Sequence, residues 1–268
     1  MTASRTLKKI AFTGSTAVGR TIMDQSVNSL RHLSLELGGS LPMVVTKHAD
    51  LEAAAAGATR RSFRNMGQIC IAVNRIYVAR EIYEPFLQLF GEKTERLTIG
   101  NGLTDKCDLG PMCTKKGIET AKNHIADALN KGARCVSGGS APEGERYKSG
   151  NYFKPTILAD CTHEMLVMRE ETFGPVVGVM PFDTLDEAIL LANDTSYGLA
   201  AIAFTDNLKE AHQLYTELRA GNVAVNNVDA GVINAPYGGW YDSGFGHEHG
   251  PEGLYEYLHV KHVRIKSN

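Results

Sequence analysis

Among the residue types that can bond covalently to a substrate, one stands in a setting suited to it. Cys70 closes the run Gly67-Gln-Ile-Cys70, just after a helical stretch and beside glycine-rich backbone. A thiol there can act as a nucleophile once deprotonated, and its ordinary pKa of about 8.5 calls for activation at neutral pH. A lone Cys can equally be a small buried hydrophobe. Glu36, 34 residues earlier, begins Glu36-Leu-Gly-Gly39 at the end of a strand, where α/β proteins gather their sites. A carboxylate there can serve as a general base if partial burial raises its pKa. On spacing alone it reads as a surface Glu before a turn. Glu170-Glu-Thr-Phe-Gly-Pro175 could hold a ribose and a flat ring, or form a solvated turn. Gly14-Ser-Thr-Ala-Val-Gly19 lies between a strand and a helix, where backbone N–H groups bind phosphate. The same turn imitates a P-loop, but Arg20 stands where that loop needs Lys, which weighs against a nucleotide triphosphatase. His247-Glu-His249 has no further ligand at regular spacing, so no metal site is expected.

These residues need a scaffold, and the hydrophobic pattern supplies one. Short apolar runs at 8–13, 33–37, 43–46, 75–79, 133–136, 153–158, 176–182, 199–205 and 222–226 read as strands. Amphipathic runs at 17–28, 50–65, 81–97, 115–131, 185–193 and 208–219 read as helices. Asp50 is the expected N-cap of the second helix, and Gly132 the stop of the fourth. Such alternation means an α/β fold with a largely parallel sheet. After Gly238 the chain turns irregular and glycine-rich before a last alternating run, Leu258 to Lys266. A terminal strand needs a partner for its backbone, so this one is expected to pair outside its own domain.

Composition narrows the function classes. A net charge of -2 with scattered Lys and Arg gives no footprint for nucleic acid or an anionic membrane. No apolar run reaches membrane-spanning length, and no secretory signal is read in the first residues. The five cysteines, odd in number and without CxxC spacing, read as reduced thiols in a cytoplasmic protein.

Taken together, Phe12-Thr-Gly-Ser-Thr-Ala-Val-Gly19, Leu35-Glu-Leu-Gly-Gly39, Gly67-Gln-Ile-Cys70 and Glu170-Glu-Thr-Phe-Gly-Pro175 resemble the aldehyde dehydrogenase superfamily in identity and order. The Glu36–Cys70 separation, Pro236-Tyr-Gly-Gly239 and Ser243-Gly-Phe-Gly246 extend the likeness over nearly the whole chain. The resemblance implies an NAD- or NADP-dependent oxidation of a small aldehyde to a carboxylic acid. Cys70 would be the nucleophile, and so the fastest-labelling thiol. Glu36 would be the base that activates water. Gly14, Ser15 and Gly19 would meet the cofactor pyrophosphate, and Leu37 and Gly38 the nicotinamide. Glu171 would hold the nicotinamide ribose and Phe173 would pack on the ring. Ser62-Phe-Arg-Asn-Met-Gly-Gln-Ile-Cys70 is similar to the succinate-semialdehyde dehydrogenase branch, where an arginine at the position of Arg64 pairs with the distal carboxylate. Gly231 and Val232, in place of that branch's serines, and Ala72, in place of a second cysteine, depart from its pattern.

The implied architecture is an α/β aldehyde dehydrogenase catalytic domain over residues 39–250. Residues 1–38 would be a remnant of the Rossmann-like cofactor domain, and 251–268 a C-terminal oligomerisation strand. The family's adenine pocket and the asparagine of its oxyanion hole match nothing in this sequence. A homo-oligomer, a dimer or dimer of dimers, is expected. The alternative is a catalytically inactive oligomerising fragment derived from the family.

Overall fold

Alternation of short apolar and longer amphipathic runs produces a seven-stranded and a three-stranded sheet, with a two-stranded ribbon beside them. The computed structural model describes residue 2 and residues 4–229 and 231–267. Met1 and Ala3 of the expected cofactor-domain remnant, and Asn268 of the expected oligomerisation strand, lie outside the described residues.

In chain order the elements are β1 (Lys9–Thr13), α1 (Thr16–Ser26), β2 (His32–Glu36), β3 (Leu41–Val45), α2 (Leu51–Phe63) and β4 (Val73–Ala79). There follow α3 (Tyr83–Glu95), α4 (Lys115–Asn130), β5 (Arg134–Ser137), β6 (Thr156–Ala159), α5 (Leu166–Arg169) and β7 (Val176–Phe182). The chain continues with α6 (Leu185–Asn193), β8 (Tyr197–Gly198), β9 (Ala200–Phe204), α7 (Leu208–Glu217) and β10 (Asn222–Val225). It ends with β11 (Trp240–Tyr241), β12 (Gly244–Phe245) and α8 (Gly250–Tyr255).

The larger sheet runs β10-β9-β3-β4-β7-β6-β5, parallel except for the β5–β6 pair at one edge. Every residue of β3, β4 and β9 is buried, as expected for central parallel strands covered on both faces. Helix starts are set by local side-chain caps: Asp50 accepts from Ala53 N–H at 3.1 Å, and Thr114 from Gly117 N–H at 3.1 Å. Phe63 of α2 stacks on Phe90 of α3 at 5.9 Å, locking those two helices together.

The smaller sheet has the order β1-β2-β12. β1 and β2 are parallel, and β12 returns antiparallel to β2 with Gly244 opposite Glu36. Segment 39–250 therefore supplies a strand to the sheet begun by residues 1–38, and the two are stitched together beside Glu36.

Most expected elements form within a residue or two of their expected ends. Five short ones fall outside the expected runs: α5, β8, β11, β12 and α8. The phosphate-type turn is shorter than expected, because α1 begins at Thr16. No strand forms at Leu258 to Lys266 within the chain: residues 258–267 are exposed and carry no regular structure. A lone edge without a partner to close its hydrogen bonds has no ladder to join.

Candidate functional site

Strand β2 ends at Glu36, and a four-residue connection leads straight into β3 of the other sheet. Its backbone is held from three sides. Gly14 N–H donates to Glu36 O at 3.0 Å, Leu37 N–H to Ser243 O at 3.0 Å, and Gly39 N–H to Glu171 Oε1 at 3.0 Å. Glycine is required at two of these positions. A Cβ on Gly38 would lie 2.6 Å from Glu171 Oε2, and one on Gly39 would lie 2.6 Å from Cys70 O.

The loop that carries Cys70 follows α2. Asn65, Met66 and Gly67 take left-handed φ values of 53°, 60° and 67° in succession. For Asn65 and Met66 this is strained backbone, of the kind that clusters at functional sites. Reciprocal bonds lock it: Asn65 Nδ2 donates to Gln68 O and Gln68 Nε2 to Asn65 O, both at 3.0 Å. Gln68 Oε1 also accepts from Cys113 N–H at 2.9 Å, tying the loop to the start of α4.

The two loops bring Glu36 and Cys70 together. Glu36 is buried, and its Oε1 has no hydrogen-bond partner among the described residues. Burial raises its pKa above the ordinary carboxylate value, and the charge of Glu248 adds to this. The nearby Cys70 thiol and Thr13 hydroxyl oppose the rise, although neither completes a bond to Oε1. The half-buried Cys70 thiol is pushed up to about 12, first by burial, then by the Glu36 charge and contact and by Glu171; the Ile71 N–H works against this. The pair therefore holds its proton on sulfur. The sequence-based expectation that Cys70 labels fastest meets a physical obstacle here, because the thiolate is what reacts.

A cleft of about 720 Å³ opens over this pair. Gly14, Ser15, Leu37, Gly38, Glu171 and Phe173 line it together with Glu36 and Cys70. Ser15 caps α1, its hydroxyl accepting from Val18 N–H. Burial raises the pKa of half-buried Glu171, and Glu36 adds to it; the Gly39 N–H works the other way. Phe173, 46 % exposed and at φ 46°, offers its ring to the cleft. Two expected site residues stand apart. Gly19 lies inside α1, where a Cβ would meet Leu37 Cδ2 at 2.6 Å, so it serves close helix–strand packing and lies outside the cleft lining. Arg64, at the end of α2, is exposed and does not line the cleft. Its neighbour Arg61 is buried instead, donating to Ile71 O at 3.0 Å.

Ser243 carries a role that spacing did not disclose. Fully buried, its hydroxyl donates to Gly38 O at 2.7 Å and accepts from Gly198 N–H at 3.1 Å. It pins the Glu36–Gly39 turn to β8. Only its place in the Ser243-Gly-Phe-Gly246 motif hinted at this. Ser243→Ala leaves a buried carbonyl and a buried N–H without that partner, which should cost about 1–3 kcal/mol. A urea melt checks this, and an unchanged midpoint would deny the pin any weight.

A profile of the "Aldehyde dehydrogenase family" matches residues 1–263. The chain is 41% identical over 265 residues to a succinate semialdehyde dehydrogenase of Acinetobacter baylyi, covering 97% of this chain and 53% of that protein. It is 42% identical over 257 residues to a non-phosphorylating aspartate-semialdehyde dehydrogenase of Halomonas elongata, covering 96% and 51%. Among solved structures, betaine aldehyde dehydrogenase from Staphylococcus aureus in complex with NAD+ superposes with a TM-score of 0.94 at 35% identity, over 98% of this chain and 52% of that one. The chain thus spans about half the length of the curated relatives it matches. With a matching profile over nearly its full length, and the motif residues gathered around one cleft, the chain belongs to the aldehyde dehydrogenase family.

Proposed function

We propose that this protein carries the acyl-transfer half of a nicotinamide-dependent oxidation of a small aldehyde to a carboxylic acid. The observation that carries the reading is the facing pair that lines one cleft: a half-buried thiol and a buried carboxylate whose Oε1 has no hydrogen-bond partner among the described residues.

Cys70 adds to the aldehyde carbonyl, giving a tetrahedral hemithioacetal on sulfur. The Cys70 N–H, which has no acceptor among the described residues, is the chain's own donor for the oxygen that becomes negative. Loss of hydride leaves a thioester on Cys70. Glu36 then takes a proton from the water that attacks the thioester carbon, and the thiol departs as the acid is released. Raised basicity suits Glu36 to that task.

The cleft also fits a nicotinamide cofactor. Gly38 lacks the Cβ that would block Glu171, and Gly14 and Ser15 at the start of α1 line the same cleft as Phe173. Gly14 and Ser15 would face its phosphates, Glu171 its ribose, and Leu37, Gly38 and Phe173 its ring. When bound, that ring supplies a positive charge favouring the thiolate and an acceptor for the hydride. Relatives named as NADP-dependent and a relative solved with NAD+ support this class of cofactor without choosing between the two.

Succinate semialdehyde is the proposed substrate, on the names of the relatives and on the cationic Arg64, which lies outside the cleft lining but begins the loop that carries Cys70. The exposed 258–267 tail is proposed to pair with a second copy, giving a homo-oligomer, and the reduced thiols suit the cytoplasm.

The test compares succinate semialdehyde with butanal, using NAD and NADP, on a sample whose mass is measured by light scattering. Reduced nicotinamide should form faster from the charged substrate. Arg64→Ala should erase that preference, a loss of roughly 10–150-fold, as for a charged hydrogen bond. The reading fails if neither cofactor is reduced and neither accelerates alkylation of Cys70. A mass of one chain would overturn the assembly.

A further inference from the structure

Arg75 lies five residues after the nucleophile and is completely buried, at 0% exposure. Its partners are unusual for a buried cation. Nε and Nη2 both donate to Ser40 O, at 3.1 and 2.8 Å. Nη2 also donates to Ala192 O at the end of α6, at 3.1 Å, and Nη1 to the Tyr77 hydroxyl at 3.1 Å. Among the described residues no carboxylate pairs with it. An uncompensated buried charge is a poor device for stability, since a well-packed apolar side chain often serves as well or better. Something else keeps it there.

Its position answers what. Ser40 directly follows the Glu36–Gly39 turn, and Arg75 follows the nucleophile loop on β4. The β3–β4 register slips at this point, with Leu41 opposite Val73 but Pro42 opposite Arg75. Beside that irregularity the guanidinium fork donates twice to Ser40 O, just before β3. Arg75 and Cys70 also line the same enclosed gap, together with Gly39 and Ser40. The fork thus ties β4, which follows the loop carrying Cys70, to Ser40 just after the Glu36–Gly39 turn and to the end of α6.

We infer that Arg75 is a positioning residue: through Ser40 it sets the approach of Glu36 to Cys70. The inference rests on the proposed Glu36–Cys70 pair, and its test does not depend on turnover. The negative charge of Glu36 holds protons on the Cys70 sulfur, so loosening the turn should release them. Lysine can reach one of these acceptors as a point charge but cannot reproduce the fork.

The experiment measures alkylation of Cys70 against Cys113 in the same folded, cofactor-free sample across neutral to mildly alkaline pH, site by site by mass spectrometry. Arg75→Lys should raise the Cys70/Cys113 rate ratio about tenfold, as for one pKa unit of thiol. Arg75→Met should raise it further. Tyr77→Phe, which leaves both bonds to Ser40 intact, should leave the ratio unchanged. The decisive arm is a double-mutant cycle. In a Glu36→Gln background, Arg75→Lys should no longer change the ratio. If its effect persists there, Arg75 merely tightens the core and the inference is overturned. Equal effects of Tyr77→Phe and Arg75→Lys would overturn it as well. If Glu36→Gln alone leaves Cys70 unchanged, the pair itself is disproved, and that failure belongs to the proposed function.

Discussion

Cys70→Ser should remove aldehyde oxidation, by on the order of 10⁴-fold or more in any preparation of this protein that oxidises an aldehyde. A serine hydroxyl ionises far less readily than a thiol. The same residue should give a second, opposite-looking result in the cofactor-free chain. Its thiol, pushed up to about 12 by burial and by Glu36, offers far less thiolate at neutral pH than an ordinary cysteine. Cys113 is exposed and Cys161 is buried, so an alkylating reagent should take Cys113 well before Cys70 and Cys161 last. Cys70 should overtake only when something positive enters the cleft. Full turnover by Cys70→Ser, or equal labelling of Cys70 and Cys113 without cofactor, would each dismantle this account.

The motifs around this thiol were legible because each is a run of adjacent residues with a local consequence. Gly67-Gln-Ile-Cys70 announces a tight backbone, and the structure explains its glycine: a Cβ at Gly67 would sit 2.2 Å from Gly174 O. Strands such as β4 and β9 were legible because continuous apolar runs have few other fates. What stayed hidden depends on contacts between distant parts of the chain. Ser243 meets Gly38 across 205 residues of sequence, and Arg75 meets Ala192 across 117. Both act through backbone carbonyls, which every residue owns, so no residue type marks the partner. Gly19 was read as a phosphate-loop glycine because the turn was taken to be longer than it is. The Ser15 cap starts α1 early and turns Gly19 toward Leu37. The tail is a different case. Its alternation is genuine, but a strand is a property of two chains or two segments, and one copy of this chain offers it no second.

Glu36→Gln separates the two duties of the carboxylate by moving two observables in opposite directions. As a base, Glu36 must accept a proton from water, which an amide cannot do. Steady-state turnover should fall by about 10²–10⁴-fold, with the loss in thioester hydrolysis and not in its formation. The first turnover should therefore survive as a burst of reduced cofactor, about one per active site, followed by a slow phase. As a neighbour, Glu36 raises the thiol through its charge and contact, the second and third causes after burial. Glutamine removes the charge while keeping the shape, and its amide N–H can donate to the sulfur. The Cys70 pKa should drop, stopping above the ordinary thiol value because burial remains. The sign is fixed: a lower thiol pKa means more thiolate at a given pH, so alkylation at pH 8 should speed up, tenfold for each unit released. A variant that loses turnover while its thiol becomes more reactive cannot be explained by misfolding alone, since that would also expose the buried Cys161. If alkylation of Cys70 slows or stays the same in Glu36→Gln, the carboxylate does not act on the thiol and the facing pair is a coincidence of packing.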